Sequence, residues 1–396
     1  MTLELSRLTH QVVDMGADAA ARQREQAELI VLARAWLAEY AAAGSELRQA
    51  ALASRAAVPV GEPLNATTAE PAIPEQLSIV GADGTQMLPD RHGQAYYYLI
   101  NVGSLVYRQG SGEAPVAASS PFLGYSAADL YDEGLLVEGN VLDLRRDLAE
   151  VTQLADLCEA EAARASAAGL TQPVVALVDG TLVLWVLEDR SPQWQQAKVH
   201  AYLDQLDRIR RAGAGVAAFT SRPRRTEVTR LLHLAHLKGD AKRAAQEPNP
   251  LERLPDRELF GELPAGARSA LFISPWPMNQ AHYAPRGHTI HFCYVNLAEQ
   301  GHNPVIARIE MPAWVVEDPA LLALVHGSVV AQARITGDYP YVLARADELA
   351  FISGPERQAL EDMIATSLLR AGVMVAPSPK AYQKTLTRQG RRDRRR

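Results

Sequence analysis

The chain has 396 residues, 47% of them apolar and 22% charged, with a formal net charge of −6 and a sequence pI of about 6.0. That is enough for one large or two medium domains with a real core, at a charge density ordinary for a soluble globular protein. The acid excess argues against a uniformly basic nucleic-acid binder, so any DNA contact must come from a local basic patch or a metal-filled acidic cleft.

Residues 1 to about 55 are rich in Ala, Leu, Glu, Gln and Arg and contain no Pro. They are expected to be helical, with residues 1–56 forming an N-terminal helical arm. Residues 57–76 carry Pro59, Pro63, Pro71 and Pro74 among small residues and read as a linker. The first strand is expected at Leu77–Ala82, ending at Asp83-Gly84-Thr85, and a second at Ala95–Tyr107. Residues 108–127, rich in Gly, Ser and Pro, read as a loop, with a third strand near Leu135–Gly139. A long helix is expected over Val141–Ala168, stopped by Gly169. The strand Val174–Asp179 is apolar up to its last residue, as a central buried strand should be.

A helix at 192–212, the strand Gly215–Thr220 and a helix at Thr226–Leu237 follow. Beyond a polar stretch at 239–268, strands are expected at Ala270–Ser274, Thr289–Asn296 and Val305–Met311, and helices near 319–334 and 355–371. The last thirteen residues, Lys384–Arg396, hold seven Lys or Arg and one Asp, so residues 377–396 are expected to be a basic flexible tail. Three strands, a helix, a strand, a helix and a strand is the order of an RNase H-like core. The expected fold is therefore α/β, a mixed sheet flanked by helices, with the helical arm before it and helices closing it.

Two cysteines, Cys158 and Cys293, exclude a disulfide framework or a Cys-rich zinc site and suit a reducing cytoplasm. The N-terminus has early acids and no apolar run, so it does not read as a signal peptide. No run of about eighteen apolar residues exists, so no membrane contact is expected.

Two Asp-Gly-Thr tripeptides, at Asp83 and Asp179, each follow an apolar strand. A carboxylate at the carboxyl edge of a strand points into the crevice where α/β sheets place their sites. Glycine after it permits a sharp turn or the close approach of a phosphate. Two acids on adjacent strands repel, and a bound cation is the natural neutraliser. The long helix between them should add a third acid. On a helical wheel Asp147 falls within the apolar arc of Leu144, Leu148, Val151 and Leu154, so geometry favours Asp147 and does not single out Glu150.

Other constellations point nowhere. His233 and His236 share a mostly apolar helix without a companion Glu, and His288 and His291 face opposite sides of a strand. There is no Walker lysine loop and no GxSxG elbow. Tyr96, Tyr97 and Tyr98 suit either base stacking or ordinary strand packing. Ser221-Arg222-Pro223-Arg224-Arg225 lies between a strand and a helix, so Arg222, Arg224 and Arg225 are candidate DNA-binding residues, helped by the helix N-terminus.

The segments Ile79–Thr85, Leu177–Leu182, Phe219–Pro223 and Gly337–Asp347 resemble, in order, successive motifs of the NurA nuclease family. The resemblance implies an RNase H-like fold, manganese-dependent nuclease activity on DNA ends and single strands, and a homodimer. It also implies work with a HerA-like hexameric ATPase in processing DNA breaks. Asp83 and Asp179 match the family's metal-binding aspartates, and Glu150, in Arg145–Glu150, its helix glutamate. Tyr339 matches a functional tyrosine. Where the family often has a metal-binding histidine, this chain has Asp347, a hard oxygen ligand suited to Mg2+ or Mn2+. The expected ligands are thus Asp83, Glu150, Asp179 and Asp347, with Tyr339 orienting water or phosphate. A catalytically weak DNA-binding or scaffold subunit docked on the ATPase is the alternative, and an enzyme acting on RNA a third reading.

Overall fold

The apolar run after the Pro-rich segment forms an 11-residue strand, β1 (Leu77–Met87), in the computed structural model, which describes residues 4–89, 95–184 and 190–373. It pairs antiparallel with β2 (Tyr98–Gln109), which pairs antiparallel with β3 (Val116–Gly124). The helix α1 (Gly139–Ala167) then returns the chain to β4 (Val174–Asp179), parallel to β1. Parallel strands need such a crossover, whereas the meander needs only short turns. With α2 (Pro192–Arg211), α3 (Tyr341–Ala350) and α4 (Gly354–Arg370), these elements belong to one unit, built from Pro74–Asp179, Leu184–Gly215 and the chain from Tyr341 onward. Its strand order, β4-β1-β2-β3, is the RNase H-like arrangement: a mixed sheet with helices packed on it.

Three expectations change here. The third strand is not at Leu135–Gly139, where only Leu135–Leu136 pairs with Tyr131–Asp132 in a small separate sheet. It is Val116–Gly124, inside the segment read as a loop. Most of this strand is exposed, so it needs no apolar residues, and as an edge strand with β2 as its partner it tolerates Pro121. β1 does not stop at Asp83 but runs on to Met87. The ten-residue helix α3 was not expected at all.

The other unit runs from the N-terminus to Ile73 and adds Gly180–Val183 and Val216–Pro340. Its strands Val58–Pro59, Phe272–Ile273, Ile290–Asn296, Ile306–Pro312 and Gly215–Thr220 pair antiparallel in that order. Val58–Pro59 and Thr67–Thr68 come from the Pro-rich segment 57–76. The helical arm is two helices, Thr9–Glu39 and Gly44–Leu52, whose Ala33, Trp36, Leu47 and Ala51 enter this unit's core. Trp36 stacks on His236, with ring centroids 4.3 Å apart. The helix Glu227–His236 is capped from a distance: buried Asp256 accepts from the Val228 and Thr229 amides at 3.0 and 2.9 Å. Among the described residues no single helix is long and apolar enough to cross a membrane. The basic segment 377–396 lies outside the described residues.

Candidate active site: a carboxylate cluster

Successive residues of β1 point to opposite faces, and glycines let a helix approach closely on each. On one face a Cβ at Gly81 would stand 3.0 Å from Val342 of α3. On β2 a Cβ at Gly103 would run into the backbone of Ala346 and Ala350. With both side chains absent, α3 lies flat against β1 and β2, and Asn101 fixes its end by donating to the Ala350 and Leu349 carbonyls at 2.9 and 3.2 Å. Asp83 is opposite Gly103 in the strand register. The close packing therefore brings Asp347 of α3 within hydrogen-bonding range of Asp83.

On the other face a Cβ at Gly84 would come 2.5 Å from Glu150 Oε1 and 2.7 Å from Arg146 Cγ. Gly84 thus admits α1, and it does so from within the strand; it is not the sharp turn expected of it. Gly180, with φ of +88°, does turn after Asp179. The parallel register pairs Ala82 with Val178, so Asp83 and Asp179 follow side by side.

Four acids from four elements of one unit therefore gather: Asp83 on β1, Glu150 on α1, Asp179 at the end of β4 and Asp347 on α3. Glu150 is buried, Asp83 half-buried, and Asp179 and Asp347 are exposed, so the cluster opens to solvent. Burial pushes Asp83 up to about 6; the Gly84 amide, donating to its Oδ1 at 2.8 Å, pulls it back, and the charges of Asp179 and Asp347 push it further up. Burial pushes Glu150 up to about 8, with Asp147, Asp83 and Asp179 adding repulsion and Arg146 opposing it. Asp147, raised chiefly by burial, faces Arg146 and Asp143 instead. The structure thus sets Glu150, not Asp147, beside the two strand aspartates.

Arg146 escaped the sequence reading. Its guanidinium lies 2.9 Å from Asp147, 3.1 Å from Glu150 and 3.7 Å from Asp143. The Nε–Glu150 approach is an ion pair without hydrogen-bond alignment, which leaves that Nε unsatisfied. The spacing of Arg146 and Glu150, four apart on a helix, was the available signal.

The donor set is all carboxylate oxygen, the chemistry of a hard divalent cation, and burial, with the neighbouring carboxylates adding to it, makes Asp83 and Glu150 hold protons more tightly than usual. Among the described residues, however, no group of three or more His, Cys, Asp or Glu side chains is already disposed to hold a metal ion. The acids are neighbours, relieved by proton retention and by Arg146. The donors fit such an ion by type, and holding it requires them to give up protons and draw in.

Tyr339, the three arginines and the paired histidines belong to the other unit, whereas Tyr98 lies on β2 of this one. Tyr339 is half-buried and meets Phe219 edge-on at 5.3 Å. Arg222, with φ of +47°, lines a cavity with Arg257 and Asp338, whereas Arg224 and Arg225 line a different one, so the three arginines do not act as one cluster. The helix N-terminus expected to assist them is occupied at Val228 and Thr229 by Asp256. Tyr98 is buried and its hydroxyl accepts from Arg145 at 2.8 Å, a packing role and not a stacking platform. His288 is fully buried and bonded to the Trp314 indole.

An antiparallel meander, a parallel strand beside its first member and acids gathered where the two meet define an RNase H-like α/β protein. The NurA domain model matches residues 77–352, well over half of the sequence. The chain belongs to the NurA domain family. It is similar to the NurA nuclease from Sulfolobus solfataricus, with 13% identity, a TM-score of 0.43, and coverage of 76% of this chain and 88% of that one. A second similarity is to LC9-RNase H1, a type 1 RNase H with the type 2 active-site motif, at 14% identity and a TM-score of 0.21, covering 45% of this chain and 76% of that one. No curated protein matches the sequence.

Proposed function

We propose that this protein is a divalent-metal-dependent nuclease that hydrolyses phosphodiester bonds in DNA, with Asp83, Glu150, Asp179 and Asp347 as ligands of Mn2+ or Mg2+. The observation that carries the reading is the meeting of these four acids, from four separated stretches of sequence, in one solvent-open cluster. Crowded carboxylates cost stability unless a cation uses them. Asp83, Glu150, Asp179 and Asp347 would hold such an ion, which would supply Lewis-acid chemistry for phosphodiester hydrolysis. The chain's own part is to hold the acids together: Gly81, Gly84 and Gly103 admit the helices that carry Asp347 and Glu150, and Arg146 pairs with Glu150.

Family membership supports nuclease activity. It also supports, as part of the proposal, a homodimer working with a HerA-like hexameric ATPase on DNA breaks in the cytoplasm. Tyr339 takes the role of orienting water or phosphate from its place in the family motif, and Arg222, Arg224 and Arg225 that of contacting the DNA backbone. One observation favours the second reading, a weakly catalytic DNA-binding subunit: the acids are not drawn together around an ion-sized point. Incubating single-stranded and duplex DNA, and matched RNA, with protein and Mn2+ separates the two. The nuclease reading expects metal-dependent loss of DNA that falls at least about a hundredfold in Asp83→Ala and Asp179→Ala. Cleavage that persists in both variants refutes the assignment.

A further inference from the structure

We infer that the unit containing Gly180–Val183 and Val216–Pro340 carries a phosphate-binding groove of its own, built by Arg55, Arg224, Arg225, Arg230 and Trp276, which grips the backbone of a DNA strand. Two adjoining cavities, of about 230 and 400 Å³, share Arg55 and Arg230 in their walls. Four guanidinium groups line the first cavity, together with the Trp276 indole. They come from the end of the helical arm, the turn after the strand Gly215–Thr220, the helix Glu227–His236 and the loop after Phe272–Ile273. No single stretch of sequence therefore shows the site.

The one acid in the first cavity does not neutralise them. Glu227 is buried, paired with buried Arg308, and accepts from Trp276 Nε1 at 3.1 Å. Among the described residues Arg55, Arg224 and Arg230 make no ion pair, although each is exposed at the rim. Arg225 lies over the Trp276 ring at 4.8 Å. Clustered guanidinium groups repel unless an anion joins them, and the planar fork matches phosphate oxygens two at a time. An indole beside the cations adds a surface for a base or sugar, the usual composition of a single-strand site. The helix amides at Val228 and Thr229 already serve Asp256, so recognition falls to side chains.

The choice of a strand over a free anion rests on the nuclease reading. The shared chemistry is phosphate, and the test separates its sources. Full-length protein in EDTA is titrated into a labelled single-stranded oligonucleotide at several salt concentrations, as wild type, R55A/R230A and R55K/R230K. Losing two phosphate contacts should raise Kd at least about tenfold and flatten the log Kd–log salt slope by about 1.4. The lysine variant should keep the slope while weakening binding, because it keeps charge and loses the fork. Inorganic phosphate that quenches wild-type but not W276F fluorescence, and competes with the strand, would place a terminal phosphate in the groove; quenching by the strand alone would place an internal one. Unchanged Kd and slope in R55A/R230A, with an unchanged melting temperature, overturn the inference. Metal-dependent cleavage by the wild type, scored separately, decides the nuclease reading, so the two failures are distinguishable.

Discussion

Replacing Gly103 by Ala should dislodge α3 and with it Asp347. The new Cβ would overlap the Ala346 carbonyl oxygen and the Ala350 amide, and would stand 2.8 Å from the Leu349 carbonyl carbon. All three are backbone atoms, so no side chain can rotate away; the helix must retreat by on the order of an ångström to restore van der Waals separation. Overpacking of this kind costs about 1–3 kcal/mol. The retreat also loosens both hydrogen bonds from Asn101, at about 1 kcal/mol each. The sum, about 3–5 kcal/mol, is a large share of an ordinary folding stability. Gly81→Ala should cost less, because its Cβ meets Val342 at 3.0 Å, where a side chain can give partway. Urea denaturation followed by circular dichroism measures both. A Gly103→Ala midpoint within error of wild type, or a larger loss in Gly81→Ala, would refute the account of how Asp347 is brought to Asp83.

Two further perturbations test each unit's packing. His326 is buried, its Nε2 donates to the Gly266 carbonyl at 2.8 Å, and burial pushes its pKa down to about 4 from an ordinary 6.5. Because the unfolded chain takes up that proton first, stability should fall as pH drops from about 6.5 towards 4, by up to about 3 kcal/mol. A His326→Gln variant should flatten the dependence across that window, and an unchanged pH profile would contradict the burial. Buried Glu161 accepts from Arg108 at 2.7 and 2.9 Å and from Ser78 at 2.8 Å. Burial alone would raise it, but Arg108, Ser78 and Arg164 outweigh burial and hold it below the usual glutamate value. Its contribution should be complete above about pH 4.5 and fade on acidification through the lower folded value. Glu161→Gln should cost about 3 kcal/mol at pH 7, with the gap narrowing in urea melts at acid pH; a gap that stays constant would contradict the pairing.

The buried strands Leu77–Met87 and Val174–Asp179 were legible because each is an apolar run that reaches an Asp-Gly-Thr tripeptide. Val116–Gly124 was not, since an exposed edge strand is under no pressure to be apolar. Asp83 and Asp179 could be read from their tripeptides, yet the reason for Gly84 could not: it is the approach of α1, which only the fold reveals. The helical wheel favoured Asp147 because it assumed one apolar arc, whereas α1 packs on both the sheet and α2, and two neighbours set which acid is buried. Asp347 came from the family motif alone, for the ten-residue helix that carries it follows Pro340 and is too short to show a clear period. Arg55, Arg230 and Trp276 could not have been grouped, being brought together only by the packing of separate elements.

The most direct measurement is calorimetric titration of Mn2+ into the wild type, Asp83→Asn and Asp179→Asn at pH 7, in two buffers of different ionisation enthalpy. Glu150, at about 8, is largely protonated at that pH, so saturable binding should release about one proton, and both variants should lose it. Heats that do not saturate in the wild type, or that match in all three proteins, would contradict the claim that these acids together grip a cation.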